Sequence, residues 1–183
     1  NVATAAFGLL SLLIYVLAYT PMKAHSPWAV LVGAFPGAIP FLLGWVAVTG
    51  DFGIESGTLF AIQFIWQFPH FWAIAWLGYA DYAKAGYYLL PTGQKDRTVT
   101  FMSVVYTVWM ILASIMPAFG VTGALVLSLP AAILVLILGM DVLLHAWRHH
   151  QSPSDGTARK LMFATIRYLP LLQITYVVDH FLA

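Results

Sequence analysis

Apolar residues run through this chain in long stretches separated by short polar connections. The stretches cover about 3–20, 28–48, 57–80, 99–118, 122–146 and 160–182, each near the roughly 20 residues that a helix needs to cross a bilayer. Strands of a membrane barrel would alternate apolar and polar positions over about 10 residues. The run Ala131-Ala-Ile-Leu-Val-Leu-Ile-Leu-Gly139 does not alternate, so the pattern predicts an all-α, polytopic transmembrane helix bundle forming a single domain over 1–183. Pro36, Pro40, Pro69, Pro117, Pro130 and Pro170 fall inside or beside these stretches. In water they would break helices, but neighbouring helices in a membrane can satisfy the backbone groups that proline frees. Gly33-x-x-x-Gly37 makes the second stretch slim, which predicts close packing within the chain in preference to a dimer seam.

Polar residues interrupt the third stretch on one side. At 100° per residue Gln63, Gln67 and His70 sit at about 0°, 40° and −20°, and a continuing helix would bring Asp81 back to about 0° and Lys84 to about −60°. Polar groups inside a membrane usually face a bundle interior or a wet cavity. Gln63 and Gln67 alone are equally well read as interhelical hydrogen-bond partners; the stripe as a whole, ending in a carboxylate, favours a site. The first connection, Tyr19-Thr-Pro-Met-Lys-Ala-His-Ser-Pro27, is stiffened by two prolines. From position alone its Lys23 is a snorkelling anchor. Asp141, His145 and Arg148 share a helix face and read as a salt-bridged interfacial cluster, and Asp179 and His180 as interfacial. Trp28, Trp45, Tyr87, Tyr88 and Trp147 fit an aromatic belt.

The connections set the orientation. Lys23 lies in the first, Lys84, Lys95 and Arg97 follow the third stretch, Arg148, Arg159 and Lys160 follow the fifth, and Arg167 lies about two turns into the sixth, toward the same side. The second and fourth connections hold no Lys or Arg. All 8 basic residues thus fall on one side, which is predicted to be cytoplasmic.

Composition agrees: 61% hydrophobic, 8% charged, mean hydropathy +0.85. A soluble domain carries about 25% charged residues, so lipid is the expected solvent. A net charge of +1 gives no footprint for nucleic acid, and the absence of cysteine excludes disulfides and thiolate chemistry. There is no Walker loop, dinucleotide fingerprint, HExxH or nucleophile elbow. Asn1 leads straight into an apolar stretch with no charged region or cleavage site, which reads as an internal start.

Six segments then carry a resemblance: Tyr19-Thr-Pro-Met-Lys23 with Ser26-Pro27, Leu31-Val-Gly-Ala-Phe-Pro-Gly-Ala-Ile-Pro40, Gly44-Trp-Val-Ala-Val-Thr-Gly50, Trp66-Gln-Phe-Pro-His-Phe71, Asp81-Tyr-Ala-Lys-Ala-Gly86 with Leu89-Leu-Pro91, and Ala158-Arg-Lys-Leu161 with Val178-Asp179. In that order the chain resembles the UbiA-type membrane prenyltransferases, and Trp-Gln-x-Pro-His narrows the resemblance to the heme-farnesylating branch. The resemblance implies a nine-helix fold whose last six helices are these, with an active cavity opening toward the cytoplasm. It places the first aspartate-rich motif upstream of Asn1, so the chain alone is expected to lack half of its metal site and to be inactive. The implied substrates are farnesyl diphosphate and protoheme IX, with Mg2+ as cofactor and heme O as product. The implied setting is the lipid bilayer of a bacterial inner membrane, near heme-copper oxidase assembly or a heme A synthase. By the same resemblance Lys23 faces the diphosphate and Asp81 holds magnesium, the two being the catalytic pair. Tyr82 orients the pocket, Lys84 adds to the anion-binding field, and Gln67 and His70 contact heme, with axial ligation by His70 as one form of that contact. Two alternatives stay open: a UbiA-type enzyme acting on another aromatic acceptor, and a non-catalytic transporter or assembly subunit.

Overall fold

A computed structural model describes residues 1–182, and among these every regular element is a helix. Helix α1 spans Val2–Met22, α2 Ala29–Thr49, α3 Ile54–Leu77, the short α4 Tyr79–Lys84, α5 Arg97–Phe119, α6 Leu129–Gln151 and α7 Asp155–Leu182. Five of them, α1, α2, α5, α6 and α7, are long and apolar enough to cross a membrane. Helix α3 has the length, at 24 residues, but Ser56, Thr58, Gln63, Gln67 and His70 make it the polar member. It occupies the place that polarity requires, in contact with α2, α5 and α7, while α6 closes against α5 and α7.

Local chemistry explains the ends. The Asn1 side chain caps α1 by accepting the Thr4 N–H, and its amide donates to the Val46 carbonyl of α2. Asp96 caps α5 through the Val99 N–H at 2.9 Å. Inside α2, Pro40 has no N–H to offer the Pro36 carbonyl; the Ser11 hydroxyl of α1 donates to that carbonyl at 3.2 Å instead. Within α1, residues Ile14–Tyr19 form a π-helical turn just before Pro21 and Lys23.

Packing divides into two apolar clusters. One joins α3, α5, α6 and α7 around Ile62, Met110, Val135, Leu161 and Tyr168. The other joins α2 and α3 to the segment after α4 around Phe68, Trp72, Trp76 and Leu90. Lipid tails are as apolar as leucine, so tight fit and small residues drive association. A Cβ at Gly139 would lie 2.6 Å from the Ile111 side chain, so α6 meets α5 at a distance only glycine allows.

Several expectations are corrected. The fifth apolar stretch begins as a loop: helix α6 starts at Leu129, not near 122, and runs on to Gln151. Gly120 and Gly123 take positive φ (67° and 63°), and the Ala124 N–H donates to Glu55 at 2.8 Å. Ser128 caps the helix and Pro130 sits in its first turn, where a missing N–H costs nothing. Residues 121–128 are apolar without being helical, which hydropathy cannot distinguish. The third stretch ends as a continuous helix at Leu77; Gly78 breaks the axis, and the angular argument carrying the stripe on to Asp81 and Lys84 fails there. Asp141 pairs with Arg167 of α7 at 2.9 Å and with His145 at 3.5 Å; Arg148 takes no part. Asp179 accepts both the N–H and the hydroxyl of Ser128, so α7 buttresses the start of α6.

The connections segregate to the two ends. At one end Lys95 bonds Asp155 at 2.8 Å and Lys23 lies over Tyr87; at the other are the Asn1, Glu55–Ala124 and Asp179–Ser128 contacts. The basic connections therefore share one end of the bundle.

Candidate active site

A cavity of about 640 Å³ opens between α1, α2, α3 and the segment through α4 to Leu89. Helix α1 lines it with Ser11, Tyr15, Tyr19 and Lys23, a four-residue spacing that would drift round a regular α-helix. The wide π turn at Ile14–Tyr19 keeps this series on one side, a use to which such turns are often put at functional sites. Half-buried Lys23 follows, its ammonium 5.2 Å from the centre of the Tyr87 ring. A cation resting on an aromatic face keeps its N–H donors free for an anion.

The wall contributed by α2 includes two glycines beside Val30 and Pro36. A Cβ at Gly33 would lie 2.7 Å from the Tyr19 ring, and one at Gly37 would overlap the Gln67 amide oxygen. The Gly33-x-x-x-Gly37 pattern thus seats two side chains of this same chain. The Gln67 Nε2 donates to the Ala34 carbonyl at 3.0 Å and the Gln63 carbonyl at 3.2 Å, which uses both its hydrogens. Gln67 is therefore both an interhelical tie and a cavity residue. Gln63 is neither: its Oε1 is buried without a hydrogen-bond partner.

Beyond α3, a Cβ at Gly78 would sit 2.9 Å from the Tyr82 ring, so the break at Gly78 lets Tyr82 fold back and line the cavity. Asp81 and Lys84 project the other way. Their side chains are 86% and 78% exposed and pair with each other at 3.4 Å. His70 lies about 60° round the helix from Gln67; it leaves the cavity lining and hydrogen-bonds Thr165 of α7 at 2.9 Å. Of the residues expected at the site, the cavity brings together Lys23, Gln67 and Tyr82, and does not include His70, Asp81 or Lys84.

Tyr15, Tyr19, Phe71 and Tyr87 join Tyr82 as its aromatic lining. Tyr87, expected in an aromatic belt, is the platform under Lys23. The spacing of Tyr15, Tyr19 and Lys23 carried the signal for the first two; nothing local in the sequence marks Tyr87.

No group of three or more His, Cys, Asp or Glu side chains among the described residues converges as a metal site. Asp81 is a single carboxylate beside the cavity-lining Tyr82. Its oxygen chemistry suits magnesium, which keeps several waters and is commonly held by one or two carboxylates together with substrate phosphates.

The described residues form an all-helical bundle with membrane-length apolar helices and a cavity that carries a lysine at its basic end. The chain belongs to the UbiA prenyltransferase family, whose model matches residues 1–167. Among curated proteins it is similar to three named protoheme IX farnesyltransferase: 52% identical to that of Christiangramia forsetii, 53% to that of Flavobacterium johnsoniae and 50% to that of Flavobacterium psychrophilum. Each match covers 100% of this chain, and the chain spans 61% of the length of each relative. No solved structure matches it.

Proposed function

We propose that the protein takes part in transferring a farnesyl group from farnesyl diphosphate to a vinyl group of protoheme IX, giving heme O. The observation that carries this reading is the cavity, with Lys23 held on Tyr87 at its basic end, in a chain about half identical to relatives of that name. In the reaction the bond between the farnesyl C1 and the diphosphate oxygen breaks, and the terminal vinyl carbon bonds to C1. Water adds to the resulting porphyrin-side cation with loss of a proton, and diphosphate leaves. Negative charge grows on the departing oxygen, so catalysis needs preorganised cations there. Lys23, half-buried and resting on the Tyr87 ring, supplies one. Magnesium, held by diphosphate oxygens, water and Asp81, would neutralise further charge. Lys84, exposed and 3.4 Å from Asp81, would add positive charge beside that carboxylate. Tyr15, Tyr19 and Tyr82 wall off water from an allylic cation, and their ring faces suit its charge.

The basic end then faces the cytoplasm of a bacterial inner membrane, and a heme A synthase or heme-copper oxidase assembly would receive the product. The test is farnesylation in detergent micelles by the protein in its natural gene context, with magnesium, farnesyl diphosphate and protoheme IX, scored by mass spectrometry. Heme O is the expected product. Lys23→Ala and Asp81→Ala should each lower turnover on the order of 10²–10³-fold with expression retained. Full activity in both variants overturns the residue roles; prenylation of a quinone precursor in place of heme overturns the acceptor.

A further inference from the structure

Three glycines line the cavity, Gly8, Gly33 and Gly37, and all lie inside helices, where glycine is unfavourable relative to alanine. Two of them are explained by what rests on them: the Tyr19 ring on Gly33 and the Gln67 amide on Gly37. Gly8 is different. No atom among the described residues lies within 4 Å of a Cβ built there, so its missing side chain seats no neighbour and leaves room at the cavity wall. It is also the first residue of α1 to reach the lining; Phe7 before it turns its ring to Phe52 at 5.5 Å.

From Lys23 back to Gly8 the α1 wall changes character in one direction. The ammonium is followed by the rings of Tyr19 and Tyr15, then by Leu12 and by Ser11, whose one hydroxyl hydrogen is spent on the Pro36 carbonyl, and last by the bare backbone of Gly8. Such a gradient fits a ligand with an anionic head at Lys23 and a hydrocarbon tail. Gly8 lies fifteen residues before Lys23, about 22 Å along the helix axis at 1.5 Å per residue. A farnesyl chain drawn out fully reaches about 15 Å with carbon–carbon bonds of about 1.5 Å, and the diphosphate takes up most of the remainder. Resting on the farnesyl diphosphate donor proposed above, we infer that Gly8 sets the length of prenyl chain the protein accepts. The tail lies along the α1 wall, and its last isoprenoid unit fills the space that a side chain in place of Gly8 would occupy.

The test offers geranyl, farnesyl and geranylgeranyl diphosphate in competition to the protein in its natural gene context, in micelles with magnesium and protoheme IX, and compares the prenylated hemes by mass spectrometry. A product ratio within one sample is independent of the fraction of protein that folds. Gly8→Val should lower the farnesyl-to-geranyl ratio on the order of 10–100-fold, the scale on which an apolar pocket tells methylenes apart, and Gly8→Ala should lower it less. Gly44→Val, at a glycine equally free of neighbours but outside the cavity lining, should keep the wild-type ratio. An unchanged ratio in Gly8→Val overturns the inference and leaves farnesylation of heme standing. A uniform loss with all three donors, together with a lowered melting midpoint, also overturns it, since Gly8 would then be a packing seat. If the wild type prenylates no heme, the proposed function falls. Displacement of radiolabelled farnesyl diphosphate by the three diphosphates then reads the length preference of wild type and Gly8→Val without turnover, and equal preferences overturn the role of Gly8.

Discussion

Gln67 shows how one amide serves two ends. Its nitrogen ties α3 to α2 through Ala34, and its oxygen rests on Gly37 at the cavity wall. In Gly37→Ala the new methyl takes the oxygen's place, and the flexible side chain swings away from Ala34 and Gln63. Neutral hydrogen bonds contribute about 1 kcal/mol each, so a loss of about 1–2 kcal/mol is expected in thermal unfolding, with a raised acceptor KM. An unchanged KM would separate Gln67 from the acceptor. At this scale the sequence was half informative. Gln67 and His70 were legible as costly polar groups in an apolar stretch, yet about 60° of helical rotation sends them to different neighbours. Asp81 was expected on the same stripe because nothing in hydropathy announces that Gly78 ends the helix.

Among the elements, α3 is the one around which the others assemble, and its polarity explains why. A helix carrying two glutamines and a histidine is costly beside lipid and is accommodated when other helices surround it. The contact between α5 and α6 depends instead on the absence of a side chain. Gly139→Val would drive two methyls into Ile111, so a destabilisation of about 1–3 kcal/mol is expected from overpacking. The check is the melting midpoint in micelles, with Gly44→Val as the comparison, since no atom lies within 4 Å of a Cβ built at Gly44. Equal effects at the two positions would contradict the packing account. Apolar runs located these elements in outline, but the beginning of α6 was hidden. The loop at 121–128 is as apolar as a helix, and only the left-handed Gly120 before it, the left-handed Gly123 within it and the Ser128 cap distinguish it.

For the whole molecule the informative pattern is charge. The basic connections gather at the end of the bundle where Lys23, Lys95 and Asp155 meet. The chain contains no cysteine, so single cysteines can be introduced without background. A membrane-impermeant thiol reagent should label Gln94→Cys and Ser154→Cys in inverted vesicles, and Phe52→Cys and Val121→Cys in intact cells. The reverse pattern would turn the cavity mouth outward. Fold class and the gathering of the basic connections at one end were readable because they are sums over many residues. The cavity was not, because it depends on a π turn, two glycine seats and a helix break, each a local departure from regular periodicity.

The bond from Ser11 to the Pro36 carbonyl has a further implication. Its acceptor is available only because a ring closes the nitrogen of Pro40; any other residue there would return the carbonyl to its own helix and strand the serine, though the serine itself had not changed. Positions 11 and 40 are thus joined in inheritance as well as in space, and in kindred chains the two should drift together.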